Sequence, residues 1–302
     1  MRGASRGAAR SIDRGAGRPA IEPRKHSIPG CRRCYRSWKK GVEPALESNQ
    51  IQLDHGRLRY WRGGAGPVLL LVHGAWGDAQ AHWGGVWDAL AQRFTVVAPD
   101  LPGWGLSETH ARASCSDLAA DLAAMLKLEG ISKCAVVGNS FGASIAWQLG
   151  ADRPDLIERV VLVNGGPVPT LPRWVKRVCG LEPVMSMMLG CFRRMSFKQA
   201  AVERALVDLT AFPAGFVEAA VALGPRAAEV GFDAVRFQPA GPSAPAAPVT
   251  LIWGDKDTLV RRVRARKMSA RLSARLRIMP GAGHLPQVQC PGLFIEELTR
   301  PL

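Results

Sequence analysis

Long hydrophobic runs are missing from this sequence. The longest apolar stretch covers residues 184 to 192 and is interrupted by Gly190, whereas a helix that spans a bilayer needs about 20 apolar residues. The first thirty residues contain arginines and no apolar core segment, unlike a secretory signal. We therefore expect no membrane span and a cytoplasmic location, with organelle import through the Arg-rich N-terminus as the alternative.

Cysteines are present without the regular spacing of a disulfide framework. The chain has seven, an odd number, so we expect mostly reduced thiols. Cys31 and Cys34 form the only close pair, and a zinc site would need a second pair or two histidines at ligand spacing, which His26 alone does not supply. A dinucleotide-type glycine loop is also missing. We predict no metal and no organic cofactor.

Acidic residues are scarce. The sequence has 25 Asp and Glu against 40 Lys and Arg, a net charge of +15, and residues 1 to 45 alone contribute +9 with twelve basic residues and three acids. That segment is rich in Arg, Gly, Ala and Ser without apolar periodicity, which predicts a disordered and functionally idle tail. A transit peptide, a nucleic-acid-binding arm and a translation start nearer Val42 are the alternatives. Since the charge is concentrated there, we predict no nucleic-acid partner.

Short apolar runs alternate with helical patterns from residue 46 onward. The runs cover residues 68–72, 95–98, 134–137 and 160–163, and later 249–253 and 276–279. Because strands buried on both faces read as continuous apolar runs, the pattern predicts an α/β fold with a mostly parallel central sheet covered by helices on both faces. A hairpin is predicted around His55-Gly56, and a helix over residues 116–127 with Ser116 at its N-cap.

The alternation stops at Asn164 and resumes near residue 246. We predict a core formed by residues 46–164 and 246–302, and an inserted, mainly helical lid at 165–245. Within the lid the sequence predicts two helices and a Pro-rich linker, at residues 181–192, 197–209 and 239–245. The side chains favoured for an apolar substrate pocket are Trp76, Met185, Met188 and Phe192. Packing of the lid's own helices is the alternative role for the lid residues.

One short motif has the pattern of a reactive serine. Gly138-Asn139-Ser140-Phe141-Gly142 follows an apolar run and precedes a helical pattern. A nucleophile at a sharp turn from strand to helix needs glycine on both sides, because side chains there would crowd the neighbouring strand and helix. The motif predicts that Ser140 lies at the end of the sheet. A Gly-Ser turn without chemistry is the alternative.

Two further polar residues follow the strands predicted beyond the insertion. Asp257 comes just after residues 249–253, and His284 comes just after residues 276–279. Because the carboxyl ends of parallel strands meet at one edge of a sheet, we expect Ser140, Asp257 and His284 to converge. Asp255 is the alternative acid.

From residue 51 to residue 302 the chain resembles the α/β-hydrolase superfamily of esterases, lipases and epoxide-hydrolase-like enzymes. The resemblance rests on His73-Gly74, residues 99–105, the Ser140 motif, Asp257 and His284, and on the chain order Ser, acid, His. It implies that Ser140 is the nucleophile, that His284 is its base and that Asp257 orients the imidazole. It also implies an oxyanion hole formed by the backbone N–H groups of Ala75 and Phe141.

The residue at the nucleophile position limits which reactions of this superfamily are expected. Haloalkane dehalogenases and epoxide hydrolases of this superfamily have aspartate where Ser140 stands, and the epoxide branch also uses lid tyrosines, whereas the only tyrosines here are Tyr35 and Tyr60. We predict a carboxylic-ester hydrolase for small or medium apolar acyl or aryl esters. A carbon–carbon bond hydrolase is an alternative, although such relatives carry tryptophan where Leu285 follows His284. Thioesterase and perhydrolase activities, and a non-catalytic accessory protein that keeps the fold, also stay open.

Several polar residues receive structural interpretations. His73 is expected to bond the backbone of the loop in which it lies, whereas His55, His82 and His110 are interpreted as surface or packing residues. Residues 261–277 contain many basic side chains and are interpreted as a solvated helix face, with an anionic substrate or an acidic partner as the alternative. Oligomeric state is not predicted.

Overall fold

The computed structural model describes residues 45–108, 114–168, 172–178, 181–237 and 243–301. The predictions made for the N-terminal tail, for Cys31 and Cys34 and for His110 lie outside the described residues. So does most of the linker predicted at 239–245.

Eight strands form one sheet in the order β1-β2-β4-β3-β5-β6-β7-β8. The strands are β1 Leu46–Leu53, β2 Gly56–Gly63, β3 Val68–Val72, β4 Thr95–Pro99, β5 Cys134–Asn139, β6 Ile157–Val163, β7 Val249–Gly254 and β8 Arg275–Met279. β1 and β2 form the predicted hairpin, β2 pairs antiparallel with β4, and every other pairing is parallel. The predicted mostly parallel sheet is confirmed.

Helices cover both faces of this sheet. The described helices are α1 Ala79–Trp83, α2 Trp87–Leu90, α3 Cys115–Leu128, α4 Phe141–Asp152, α5 Arg173–Val178, α6 Glu182–Ser196, α7 Gln199–Leu206, α8 Phe216–Arg236, α9 Arg262–Leu272, α10 Pro286–Gln289 and α11 Pro291–Thr299. Alternate residues of β3 belong to different hydrophobic clusters: Leu70 packs with α3 and α4, whereas Leu71 packs with α1, α2 and α11. A strand buried on both faces requires this division.

The start of α3 differs from the prediction. The helix begins at Cys115, and Ser114 is its N-cap instead of Ser116. Ser114 Oγ accepts a hydrogen bond from Asp117 N at 3.2 Å, and Asp117 Oδ2 accepts one from Ser114 N at 2.8 Å. This reciprocal capping box satisfies two backbone N–H groups, so Ser114 outcompetes Ser116, which lies inside the helix and donates to Asp152.

The chain between β6 and β7, here called the inserted segment, is helical where the structure describes it. Its helices α6 and α7 correspond to the two that the sequence predicts, but α8, with 21 residues, was not predicted. Pro225 lies inside α8 beside Gly224, and both residues disfavour a helix locally.

The inserted segment is tied to the core by hydrogen bonds to its backbone. Trp76 Nε1 donates to Ser196 O at 3.1 Å, and His284 N donates to Ala205 O at 2.8 Å. The end of α6 and the end of α7 therefore both contact the carboxyl edge of the sheet. None of the described helices combines the length and apolar character that a membrane crossing would require.

Two glycine-to-alanine substitutions should have opposite effects on stability. A Cβ at Gly138 would lie 2.2 Å from Gly142 O, where β5 meets α4, whereas a Cβ at Gly190 on α6 would meet nothing within 4 Å. We expect Gly138→Ala to lower the free energy of unfolding by roughly 2 kcal/mol or more. Gly190→Ala should raise it by about 0.5–1 kcal/mol, because alanine favours a helix interior. Urea denaturation measures both, and equal shifts of the same sign would contradict the close approach at Gly138.

Candidate active site

Ser140 occupies a strained turn between β5 and α4. Its backbone has φ 54° and ψ −112°, a conformation that non-glycine residues rarely adopt, and its N–H donates to Val163 O at 2.8 Å. Gly142 makes the turn possible, because a Cβ there would lie 2.3 Å from Val72 O. The flanking strand and helix therefore place Ser140 at the carboxyl edge of the sheet, where the sequence predicts it.

The structure brings Ser140, His284 and Asp257 together. His284 Nε2 lies 2.8 Å from Ser140 Oγ, and His284 Nδ1 lies 2.9 Å from Asp257 Oδ2. His284 is 1% exposed and Asp257 is 6% exposed. Asp255, the alternative acid, instead accepts a hydrogen bond from Gly281 N at 2.7 Å and so fixes the turn before His284.

Asp257 is held by several donors. Its Oδ1 accepts hydrogen bonds from the N–H groups of Leu259 and Val260 at 2.8 and 2.9 Å. Burial alone would raise the pKa of this carboxyl, but the charge and hydrogen bond of His284, together with the bonds from Val260 and Asn164, outweigh burial and lower the pKa below its usual value. Asp257 therefore stays ionised beside the imidazole.

Asn164 is a site residue that sequence reasoning missed. Its Nδ2 donates to Asp257 Oδ2 at 2.5 Å and to Gly283 O at 3.0 Å, while its Oδ1 accepts from Gly254 N at 3.0 Å. The residue has φ 47°, in the left-handed region that asparagine tolerates better than most residues. The available signal was an asparagine directly after a buried strand and before Gly165.

His82 takes the packing role that the sequence left open beside a surface one. It is buried, and it also lines the same cavity as Ser140. Its Nδ1 lies 3.2 Å from Asn139 Oδ1 and 3.3 Å from Gly74 N, so it links the strand before Ser140 to the loop after β3. Burial, followed by the charges of His73 and His284, lowers its pKa well below 6.5. His82 is therefore uncharged at neutral pH.

His73 bonds the backbone, as expected. Its Nδ1 donates to Gly74 O at 2.7 Å and its Nε2 accepts from Leu101 N at 2.8 Å, a pattern that only a neutral imidazole can make. His55 lies in the turn between β1 and β2, where its Nδ1 is 3.3 Å from Asp121 Oδ1. Neither residue lines the cavity at Ser140.

Two backbone N–H groups near Ser140 have no acceptor in the part of the chain that the structure describes. They belong to Ala75 and Phe141, and both residues line the cavity. The carbonyl of Ala75 accepts a hydrogen bond from Trp104 Nε1 at 3.1 Å, and the Trp104 ring lies 6.0 Å from that of Phe141. Both residues are thus held in place by Trp104 while their N–H groups stay available to a ligand.

A cavity of about 360 Å³ opens at Ser140. Two of the predicted pocket residues, Trp76 and Phe192, line it. Met185 and Met188 do not: they lie on the same side of α6 as Phe192, but two turns and one turn nearer the N-terminus, respectively, and Met185 Sδ contacts Arg236. The other apolar side chains of the lining are Ala75, Phe141, Pro167, Val168, Met195, Phe197, Ala227, Leu259 and Val260.

Residues 69–297 match the alpha/beta hydrolase family. This chain belongs to that family. Protein Rv2715 of Mycobacterium tuberculosis is 31% identical to this hydrolase over 277 residues, which cover 83% of this chain and 80% of Rv2715. The 2-hydroxymuconate semialdehyde hydrolase of Pseudomonas sp. is 28% identical over 240 residues, covering 76% of this chain and 85% of that enzyme.

Solved structures share the fold of this alpha/beta hydrolase. A membrane phospholipase A, described as a bacterial virulence factor, superposes with a TM-score of 0.64 at 26% identity and covers 84% of this chain and 85% of its own. The epoxide hydrolase CorEH superposes with a TM-score of 0.65 at 20% identity, over 84% of this chain and 97% of its own.

Replacing His73 should reduce the loss of unfolding free energy that occurs as the pH falls. Burial is the largest cause that lowers the pKa of His73 from 6.5 to about 4, so the unfolded chain binds a proton as pH falls through 6.5 while the folded protein does not. Stability is therefore lost between pH 6.5 and 4. We expect His73→Asn, whose amide can still donate to Gly74 O, to lose about 3 kcal/mol less than the wild type over that range.

Urea denaturation at pH 7, 6, 5 and 4 measures this difference. Burial raises the pKa of Asp100 to about 6, so Asp100 acts in the opposite direction, but it is present in both proteins and its contribution largely cancels. Parallel stability curves for the variant and the wild type would contradict a neutral, buried His73.

Proposed function

We propose that this protein is a serine hydrolase that cleaves carboxylic esters with small or medium apolar acyl or aryl groups. One observation carries the proposal: Ser140 Oγ, both ring nitrogens of His284 and Asp257 Oδ2 form a continuous hydrogen-bonded chain with distances of 2.8 and 2.9 Å. A serine hydroxyl is a weak nucleophile at neutral pH unless such a base removes its proton.

Each member of the chain has one role in the proposed reaction. His284 Nε2 takes the proton from Ser140 Oγ as the oxygen attacks the ester carbonyl, and then gives it to the leaving alcohol. Asp257 keeps the proton of the neutral ring on Nδ1 and stabilises the imidazolium that forms. The acyl group remains on Ser140 until water, activated by the same histidine, releases the acid.

The negative charge that develops on the carbonyl oxygen needs donors. The N–H groups of Ala75 and Phe141 support the proposal, because both line the cavity and neither has an acceptor among the described residues. Losing one such donor costs about 3–4 kcal/mol of the barrier in a well-studied serine protease. The two peptides therefore form the proposed oxyanion hole.

The cavity supports apolar substrates. Phe192, Met195 and Phe197 come from the inserted segment, and Trp76 places the edge of its ring against His284 with the ring centroids 5.0 Å apart. We propose that residues 165–245 act as a lid that supplies this apolar wall. Excluding water there would strengthen the electrostatic interactions that stabilise the transition state.

Hydrolysis of a carbon–carbon bond is the second candidate. The similarity to the 2-hydroxymuconate semialdehyde hydrolase favours it. In this chain Leu285 follows the histidine and is fully buried in the core, so it offers no polar or aromatic group to such a substrate. Ester hydrolysis needs nothing beyond the groups already described, and thioester hydrolysis would use the same groups.

A fluorophosphonate probe tests the nucleophile directly. We expect mass spectrometry to find a single adduct on Ser140 and none in the Ser140→Ala variant, because among the described serines only Ser140 has an imidazole within hydrogen-bond distance of its hydroxyl. Ser144→Ala is the matched control: Ser144 lines the same cavity, but its Oγ donates to Gly166 O at 2.7 Å. An adduct on Ser144 would overturn the assignment of Ser140 as the nucleophile, and a folded wild type without any adduct would overturn the proposal in favour of an accessory protein.

Asn164→Ala should weaken catalysis through Asp257. The variant loses a hydrogen bond to Asp257 Oδ2, so we expect kcat/KM for a p-nitrophenyl ester to fall roughly 10- to 100-fold. Because one of the bonds that lower the pKa of Asp257 disappears, the acidic limb of the pH profile should move to higher pH.

Asn49→Ala is the control for this experiment. Asn49 is a partly exposed residue of β1, far along the sequence from the site, and among the described residues its side-chain amide donates to Glu47 O, so its removal should change neither kcat/KM nor the pH profile. An unchanged profile in Asn164→Ala would show that Asn164 has no part in orienting Asp257.

A further inference from the structure

Arg264 brings a positive charge to an otherwise apolar part of the cavity wall. It lies in the first turn of α9 and lines the cavity together with Ser140, Val168 and Leu259. The residue is exposed, so its guanidinium lies at the mouth of the cavity and not at its base. Arg264 Nη2 donates to Pro167 O at 3.1 Å, which fixes the side chain across the start of the inserted segment.

This guanidinium has no acidic partner. Within the described ranges, no carboxylate lies within ion-pair distance of Arg264, and its hydrogen bond to Pro167 O leaves Nε and Nη1 available to a ligand. Some arginines of the protein are paired, for example Arg59 with Asp100 at 2.6 Å and Arg153 with Asp155 at 2.7 Å. The charge of Arg264 therefore forms no ion pair within the described part of the chain.

Helix stability does not explain the basic residues of α9 either. The helix begins with Arg262, carries Arg264, Arg266, Lys267 and Arg271, and contains no acid. Positive side chains in a first turn interact unfavourably with the helix dipole. Arg264 thus weakens the start of its own helix slightly, and a ligand that pairs with its charge would offset this cost.

We propose that Arg264 binds a carboxylate carried by the substrate, so that the preferred substrates are esters with an apolar middle and an anionic end. This inference rests on the proposed ester hydrolysis at Ser140. The planar guanidinium can donate two hydrogen bonds to a carboxylate, and its anchoring by Pro167 reduces the entropy lost when the carboxylate binds. The apolar side chains of the lining would contact the part of the substrate between the ester and its charge.

Matched pairs of esters test this preference. The first pair is mono-p-nitrophenyl adipate and its methyl ester, which have the same acyl chain and differ in the terminal charge. The second pair, 4-acetoxybenzoate and its methyl ester, carries the charge on the alcohol side, because either side of the ester can face the mouth. In 0.15 M salt, which screens long-range attraction, we expect the wild type to prefer the anionic member of one pair about 10-fold in kcat/KM.

Two variants decide whether Arg264 causes the preference. In Arg264→Gln the ratio of kcat/KM between the anionic and the neutral ester should fall to about one, since glutamine keeps much of the length without the charge. Arg266→Gln is the matched control, because Arg266 is an exposed residue of the same helix that does not line the cavity, and the ratio should remain as in the wild type. No preference in either pair, or an equal loss in both variants, would overturn the proposal.

A binding measurement separates failure of this inference from failure of the proposed function. Isothermal titration calorimetry of the Ser140→Ala protein with mono-p-nitrophenyl adipate should show an affinity about 10-fold higher than that of the Ser140→Ala, Arg264→Gln protein. If the protein hydrolyses the neutral esters and shows no preference for the anionic ones, the carboxylate site at Arg264 is refuted and the proposed ester hydrolysis is not. Absence of hydrolysis of every ester refutes the proposed function, and the calorimetric comparison still decides whether Arg264 binds the carboxylate.

Discussion

The close backbone approach around Ser140 is the constraint on which the site depends. Ser140 can hold φ 54° and ψ −112° only because residues 138 and 142 lack side chains, so that β5, β3 and α4 meet almost in contact. This packing turns the hydroxyl toward the carboxyl edge of the sheet. The loops after β7 and β8 end at the same edge, and they bring Asp257 and His284 within hydrogen-bond distance of their partners.

The predictions that succeeded rest on residue patterns that burial and turn geometry determine locally. Continuous apolar runs such as Val68–Val72 are typical of strands buried on both faces, and a serine between two glycines after such a run indicates a strained turn. The mostly parallel pairing of the strands follows from the alternation with helices. The fold and the convergence of Ser140, Asp257 and His284 were therefore within reach of the sequence.

The features that sequence reasoning missed depend on tertiary contacts. Asn164 and His82 are polar residues with unremarkable sequence neighbours, and only the folded chain places Asn164 against Asp257 and His82 against Asn139. Met185 was predicted to line the pocket, but it does not line the cavity at Ser140. Its distance from the cavity depends on the position of α6, which hydropathy does not predict. The helix α8 was missed because packing overrides the cost of Pro225.

The two hydrogen bonds that tie the inserted segment to the core reach residues on opposite sides of the nucleophile. One ends on Trp76, beside the loop that contains Ala75, and the other ends on the backbone of His284. Any displacement of α6 and α7 that widens the entrance therefore also releases the restraints on the base and on the neighbouring loop. The geometry around Ser140 is therefore coupled to the position of the inserted segment from two sides at once.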